Sequence, residues 1–197
     1  EISGAGIAYL FSKAINQEKS LAFLAIIGAI GDVQETKDGF IGINKEILED
    51  AISSGNLEVK RGLRMFGSQT KPLYKVLQYS TDPYIPGITG NSDASIELLS
   101  QLKINHTKKL IHLSEEEIKN LVAAIIVKRM GSEEEPEDVL GNIYLLKDEK
   151  EESPTKDLKE FSTLLNSCGR LNRPSLGIGA CLNDEKSKKE AVSLLME

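Results

Sequence analysis

Zinc-binding cysteine pairs, catalytic serine signatures, phosphate loops and membrane-length apolar runs are all missing from this sequence. Its two cysteines, Cys168 and Cys181, stand at no zinc spacing. With no basic-then-apolar leader before them, they suit reduced thiols in a cytoplasm. The longest apolar run, Leu21 to Ile30, is about 10 residues, half of the roughly 20 that a helix needs to cross a bilayer, so no membrane span is expected. G-x-S-x-G, a Walker loop and H-E-x-x-H are absent, which sets aside several common enzyme classes. The two histidines, His106 and His112, lie in a polar connector with no partner motif and read as surface residues. Basic residues are outnumbered 24 to 30, for a formal charge of -6. Such a surface does not hold nucleic acid unspecifically, so strand binding would have to come from a local basic patch.

What remains is a chain of 197 residues, 40% hydrophobic, enough to bury a core and to form one large domain or parts of two. It opens on Glu rather than Met and stops inside an apolar-periodic helix with no terminating Gly or Pro, as an excised piece would. In SGAGIAYLFSKAINQ, residues Ile7, Leu10, Phe11, Ala14 and Ile15 recur at helical spacing and predict one apolar face, with Ser3 as N-cap. SLAFLAIIGAI is apolar all round, a helix packed inside a larger α/β body and capped by Ser20. INKEILEDAISSGN reads as a helix closed by Gly55, residues 58–80 as helix, turn and helix, DPYIPGITGNSD as loop, and SIELLSQL as a short helix. LSEEEIKNLVAAIIVKRMG opens on a capping box of Ser114 and Glu117 and ends at Gly131. The acidic SEEEPED then predicts a boundary. Beyond it GNIYLL, KDLKEFSTLLNSCG, PSLGIGACL and DEKSKKEAVSLLME alternate as strand, helix, strand, helix, the opening units of a small α/β domain.

Three places could carry chemistry. Asp32 follows the apolar run, flanked by Gly31 and Val33. A carboxylate at the end of a buried element is costly unless a cation or several donors satisfy it, and hard divalent cations take carboxylate oxygens. The plainer reading is a solvent-facing Asp that starts a turn. A second place is the segment from Lys60 to Lys75, where Lys60, Arg61, Arg64, Lys71 and Lys75 share 16 residues with Phe66 and Tyr74 and with no acid. That mixture can pair phosphates and stack bases; it is equally a solvated basic face. In NSCGRLNRPSLGIGACL, the third, Arg170 and Arg173 lie in a turn after a helix, and Gly177 and Gly179 interrupt the expected strand where a ligand could come near. The alternative there is a tight helix-to-strand connection with exposed arginines.

At these residues the chain resembles a known family. SGAGIAYLFSKAI followed by LAFLAIIGAIGDVQE is similar to the segment of DHH-family phosphoesterases that holds their fourth conserved motif. The likeness is to the archaeal RecJ-like exonucleases, including the GINS-associated nuclease, and continues through NLEVKRGLRMFGSQTKPLYKVLQYSTDPYIPGITGN and FSTLLNSCGRLNRPSLGIGACLND. It implies an α/β fold class. Residues 1–57 would be the C-terminal part of a DHH domain, 58–131 a mainly helical linker region, and 132–197 the start of a small α/β DHH-associated C-terminal domain. The implied activity is that of a cytoplasmic, metal-dependent exonuclease acting on single-stranded DNA, or RNA, in replication or repair. Two divalent ions, Mn²⁺ or Mg²⁺, would serve it, with Asp32 both metal ligand and catalytic residue. Arg170 and Arg173 would contact backbone phosphates, and Lys60, Arg61, Arg64, Lys71 and Lys75 would line the strand's path. GINS and other replisome proteins are the implied protein partners.

The D-x-D, isolated Asp and Asp-His-His of the family's first three motifs are nowhere in these residues, nor is its terminal glycine- and histidine-rich motif. One ligand cannot hold two metal ions. A rival reading makes the chain part of a catalytically inactive replisome scaffold that binds GINS, as some RecJ relatives are; retention of Asp32 tilts against it. Smaller DHH proteins that act on short oligoribonucleotides or cyclic dinucleotides rank lower, because the stretch from Arg61 to Leu113 resembles the archaeal RecJ-like group. The 197-residue polypeptide alone is expected to hydrolyse neither single-stranded DNA nor RNA with Mn²⁺ or Mg²⁺. A nuclease assay checks this, and robust turnover would contradict it.

Overall fold

A computed structural model describes residues 1–194. In chain order they form α1 (Gly4–Asn16), α2 (Ala22–Gly31), α3 (Gly42–Ser53), β1 (Leu57–Leu63), α4 (Leu73–Gln78), α5 (Ser92–Gln101), a 3-10 turn (Leu110–His112), α6 (Glu115–Arg129), β2 (Leu140–Leu146), α7 (Leu158–Arg170), α8 (Pro174–Cys181) and α9 (Glu185–Leu194). The helix expected over 184–197 is seen to Leu194; residues 195–197 lie outside the described ones. Mostly helical, with a two-stranded antiparallel sheet of β1 and β2, the chain has the α/β character expected. No helix among the described residues is long and apolar enough to cross a membrane. Two compact units emerge, one from residues 1–60 with those from Tyr144 onward, the other Arg61–Ile143. The sequence pointed instead to changes after residues 57 and 131.

The first unit is organised by α2, whose Ala22, Ala25, Ile26, Ile27 and Ala29 are buried and which packs against α1, α3 and α7. Small residues permit the approach: a Cβ on Gly28 would lie 2.6 Å from Ala5 Cβ of α1. Leu57, Tyr144, Leu146, Leu158, Phe161 and Leu164 complete the core, each large side chain contributing about 1.5–3 kcal/mol by burial. Ser3 caps α1 as expected, its Oγ accepting the Gly6 N–H at 3.0 Å. Ser20 does not cap α2. Leu21 holds that position without a side-chain bond, while the Ser20 backbone is taken up by Glu18 and Asn56. The expected apolar face of α1 also departs from the core, since Tyr9 is buried while Ile7, Phe11 and Ile15 are exposed. It is the small side of α1, at Ser3 and Ala5, that meets Gly28.

Two elements differ in kind from expectation. The first half of 58–80 is strand β1 rather than helix. Its ladder with β2 is extended at one end by Lys147 N–H to Asn56 O (2.9 Å) and at the other by Arg64 N–H to Val139 O (2.8 Å). Gly62, which costs a helix interior about 1 kcal/mol, leaves room here for Ile143. Residues 174–181, expected as a strand, are helix α8 with Pro174 in its first turn. Its glycines serve helix packing: a Cβ on Gly177 would touch Cys168 Cβ of α7 at 3.4 Å, and one on Gly179 would collide with Ser187 of α9.

In the second unit, α4, α5 and α6 surround Leu73, Leu77, Ile85, Ile88, Leu99, Leu121 and Ile125. The capping box of α6 is present, with Glu117 N–H to Ser114 Oγ at 3.2 Å and Ser114 N–H to Glu117 Oε2 at 2.7 Å. SEEEPED is no free linker. The buried Arg129 guanidinium donates to the carbonyls of Glu135 (3.3 Å) and Pro136 (3.1 Å) and to that of Tyr84, which folds the acidic stretch back on α6.

Asp50 of α3 ties the first unit's surface helices to its core. Only 7% exposed, it accepts the Tyr9 hydroxyl (2.9 Å) and the ammonium groups of Lys13 and Lys19, the latter at 2.7 Å. Burial pushes its carboxyl up, but the hydrogen bonds from Lys13, Lys19 and Tyr9 prevail and hold it at about 2. A depressed acid stabilises the fold fully above its ordinary value and loses that contribution as pH falls through the folded value. Thermal stability is expected to fall between about pH 4 and pH 2. Asp50→Asn is expected to cost about 2 kcal/mol at neutral pH and to flatten that acid limb. Circular-dichroism melts across this range check both; an unaltered limb in the variant would assign it to other carboxylates.

Candidate metal and nucleic-acid site

Helix α2 ends in a closure that determines how Asp32 is presented. Asp32 N–H donates to Gly28 O (3.0 Å), Val33 N–H to Ile30 O (3.0 Å) and Gln34 N–H to Ala29 O (2.9 Å), a Schellman arrangement. Its left-handed residue is Val33, at φ 55°, where glycine or asparagine ordinarily sits. For a β-branched side chain this costs about 1–2 kcal/mol. Asp32 itself is the exposed C-cap, and its carboxylate has no hydrogen-bond or ion partner among the described residues. The desolvation expected from the apolar run therefore does not arise. What the position does feel is the negative end of the helix dipole, which disfavours an anion by roughly 0.3–1 kcal/mol and favours a cation.

The neighbouring polar groups are tied down. Asn44, 3% exposed, donates to Gln34 Oε1 at 2.9 Å, and its own buried Oδ1 has no partner. Glu35 accepts from the Tyr144 hydroxyl (2.8 Å) and pairs with Lys159 (3.1 Å). Gly31 lets α7 approach, since a Cβ there would lie 3.0 Å from Ser162 Oγ. Asp157, the buried N-cap of α7, accepts from Lys159 N–H (2.8 Å) and Glu160 N–H (3.4 Å); burial outweighs these donors and pushes its carboxyl up to about 6. Among the described residues no three His, Cys, Asp or Glu side chains form a group that could hold a metal. Asp32 by itself therefore makes no metal site among the described residues.

The cationic candidates divide by environment. Arg170 ends α7 and Arg173 is the N-cap of α8; both are exposed and belong to one turn. Arg170 is eight residues beyond Ser162, about 12 Å along the helix. Lys60 is exposed and pairs with Glu58 at 3.3 Å, an interaction of little weight at a surface. Arg61 is exposed and Lys75 half-buried in α4. Arg64 corrects the expectation. Its guanidinium grips both Asp82 oxygens (3.0 and 3.1 Å) and Asp138 (3.2 Å) with the side chain 16% exposed, so it clamps the second unit instead of facing a strand. Lys71 is held over two aromatic rings. His112 is exposed as expected, whereas His106 is half-buried with its ring 5.8 Å from that of Tyr74. Neither Asn44 nor the Glu35, Tyr144 and Lys159 group is marked in the sequence, because Glu35 and Tyr144 are 109 positions apart.

Comparison with known proteins follows this division. Residues 65–142 match the DHH-CID domain, a span lying within the second unit. An uncharacterized protein of Methanocaldococcus jannaschii is 30% identical over all 197 residues, which span 42% of its length.

The strained closure beside Asp32 has a measurable counterpart. Val33→Asn is expected to raise the unfolding free energy by about 1 kcal/mol, because asparagine tolerates the left-handed conformation. Urea titration reads it, and an unchanged midpoint would mean that Val33 stores no strain.

Proposed function

We propose that this chain is part of a metal-dependent phosphodiesterase that shortens single-stranded DNA, or RNA, from an end during replication or repair. The DHH-CID match of residues 65–142 suggests phosphoesterase or nuclease activity in general. The observation that carries the finer reading is the Asp32 carboxylate, exposed and unpartnered at a helix end that favours cations. When bound, Mn²⁺ or Mg²⁺ would supply an activated water and a clamp on the phosphate. Asp32 would furnish one oxygen ligand, aimed by the Val33 closure and backed by the packing of Gly31 against α7. Arg170 and Arg173, whose planar guanidinium groups match phosphate oxygens, would hold the backbone of the strand at the far end of α7. Both cysteines are free thiols, in keeping with a cytoplasmic setting.

Asp32→Ala in the full gene product is expected to lower Mn²⁺-dependent hydrolysis of a labelled single strand by at least about 100-fold, with strand affinity within roughly twofold. Preserved turnover with lost binding would overturn the assignment. Arg170→Ala is expected to weaken binding and to lower the salt slope by about 0.7. An unchanged slope would remove Arg170 from the phosphate path.

A further inference from the structure

We propose that Phe66, Tyr79 and Lys71 form a stacking platform for single-stranded nucleic acid on the second unit. The inference takes its ligand class from the nuclease reading and adds a place where the strand is held. Phe66 and Tyr79 are 40% and 53% exposed, and one ammonium, Lys71 Nζ, lies 5.9 Å from the centroid of each ring, within cation–π range.

The arrangement is built into the backbone. Gly67 adopts φ 88°, and a Cβ on it would come within 2.7 Å of Lys71 Cδ. Only glycine therefore lets the Lys71 stem fold back across the turn, which Lys71 N–H closes onto Gly67 O at 2.9 Å. Ser68 and Gln69, 5% and 3% exposed, anchor the turn from below. Tyr79 is fixed as the C-cap of α4, its N–H on Lys75 O at 2.9 Å, with Leu73, Val76 and Leu77 buried behind it. Two partly exposed rings and a cation are thus held at the surface by one frame.

Base faces stack on such rings without regard to sequence, while an ammonium pairs the phosphate between them. Charge agrees: no acid occurs from Lys60 to Lys75, in a chain whose formal charge is -6. With Arg64 consumed by Asp82 and Asp138, Lys71 is the cation set directly beside the rings. An acidic peptide would satisfy the ammonium but leave both ring faces unused; neighbouring nucleotides of one strand satisfy all three groups.

The chain has no tryptophan, so Phe66→Trp installs a sole tryptophan at the platform, excited selectively at wavelengths beyond tyrosine absorption. Titration with a short oligothymidylate at low salt is expected to quench it saturably, and added salt to restore it. Phe66→Ala and Tyr79→Ala should each weaken binding of a labelled oligothymidylate by roughly tenfold, and Lys71→Ala should lower the salt slope by about 0.7. Melting curves of the variants confirm that they fold. The platform is overturned if the wild-type chain binds no oligothymidylate, if the two alanine variants bind as it does, if the tryptophan stays unquenched in the complex, or if polyglutamate quenches it and oligothymidylate does not. Failure here leaves the Asp32 hydrolysis test standing, and an inert Asp32 leaves the binding result standing, so the two readings fall separately.

Discussion

Everything in the first unit depends on α2 having no polar face. A helix that is apolar on every side must be enclosed, so α1, α3 and α7 are recruited around it and the strand ends at Leu57 and Tyr144 close the core. Enclosure demands close approach, which is why Gly28 and Gly31 stand on its surface where a Cβ would collide or crowd. It also dictates the exit. The chain leaves the core through a tight left-handed turn at Val33, and the residue delivered to the surface there is Asp32. Exposed at that point, the carboxylate bears no cost in desolvation.

The second unit solves a different problem with charge. Its long connections are held by arginines that turn inward: Arg64 across Asp82 and Asp138, and Arg129 onto the carbonyls of Glu135 and Pro136. A guanidinium suits this work because its planar donors satisfy several acceptors at once. The consequence for function is subtraction. Of the basic residues between Lys60 and Lys75, Arg64 is consumed by the fold, which leaves Lys60, Arg61, Lys71 and Lys75.

Glycine pairs illustrate how one pattern supports two structures. Gly177 and Gly179, two positions apart, suit a strand that admits a ligand. In helix α8 the same spacing puts them on roughly opposite sides, one against α7 and one against α9. The choice between these outcomes is made by Leu165, Cys168 and Ser187, none of which is adjacent to the glycines in sequence.

Much was legible in the sequence alone: the helices with strong periodicity, the Ser3 cap, the Ser114 and Glu117 capping box, β2, the position of Asp32 just past the buried run, and the likeness to DHH proteins. Those features are decided within a few residues by hydrogen-bond geometry and apolar spacing. Only the tertiary structure decided that residues 57–63 pair as a strand with residues some eighty positions away, that α8 is helical, that Arg64 is a clamp, and that Ile7, Phe11 and Asp32 face outward. Strand pairing, ion pairs and burial join groups distant along the chain, and local propensity carries no information about which distant group arrives.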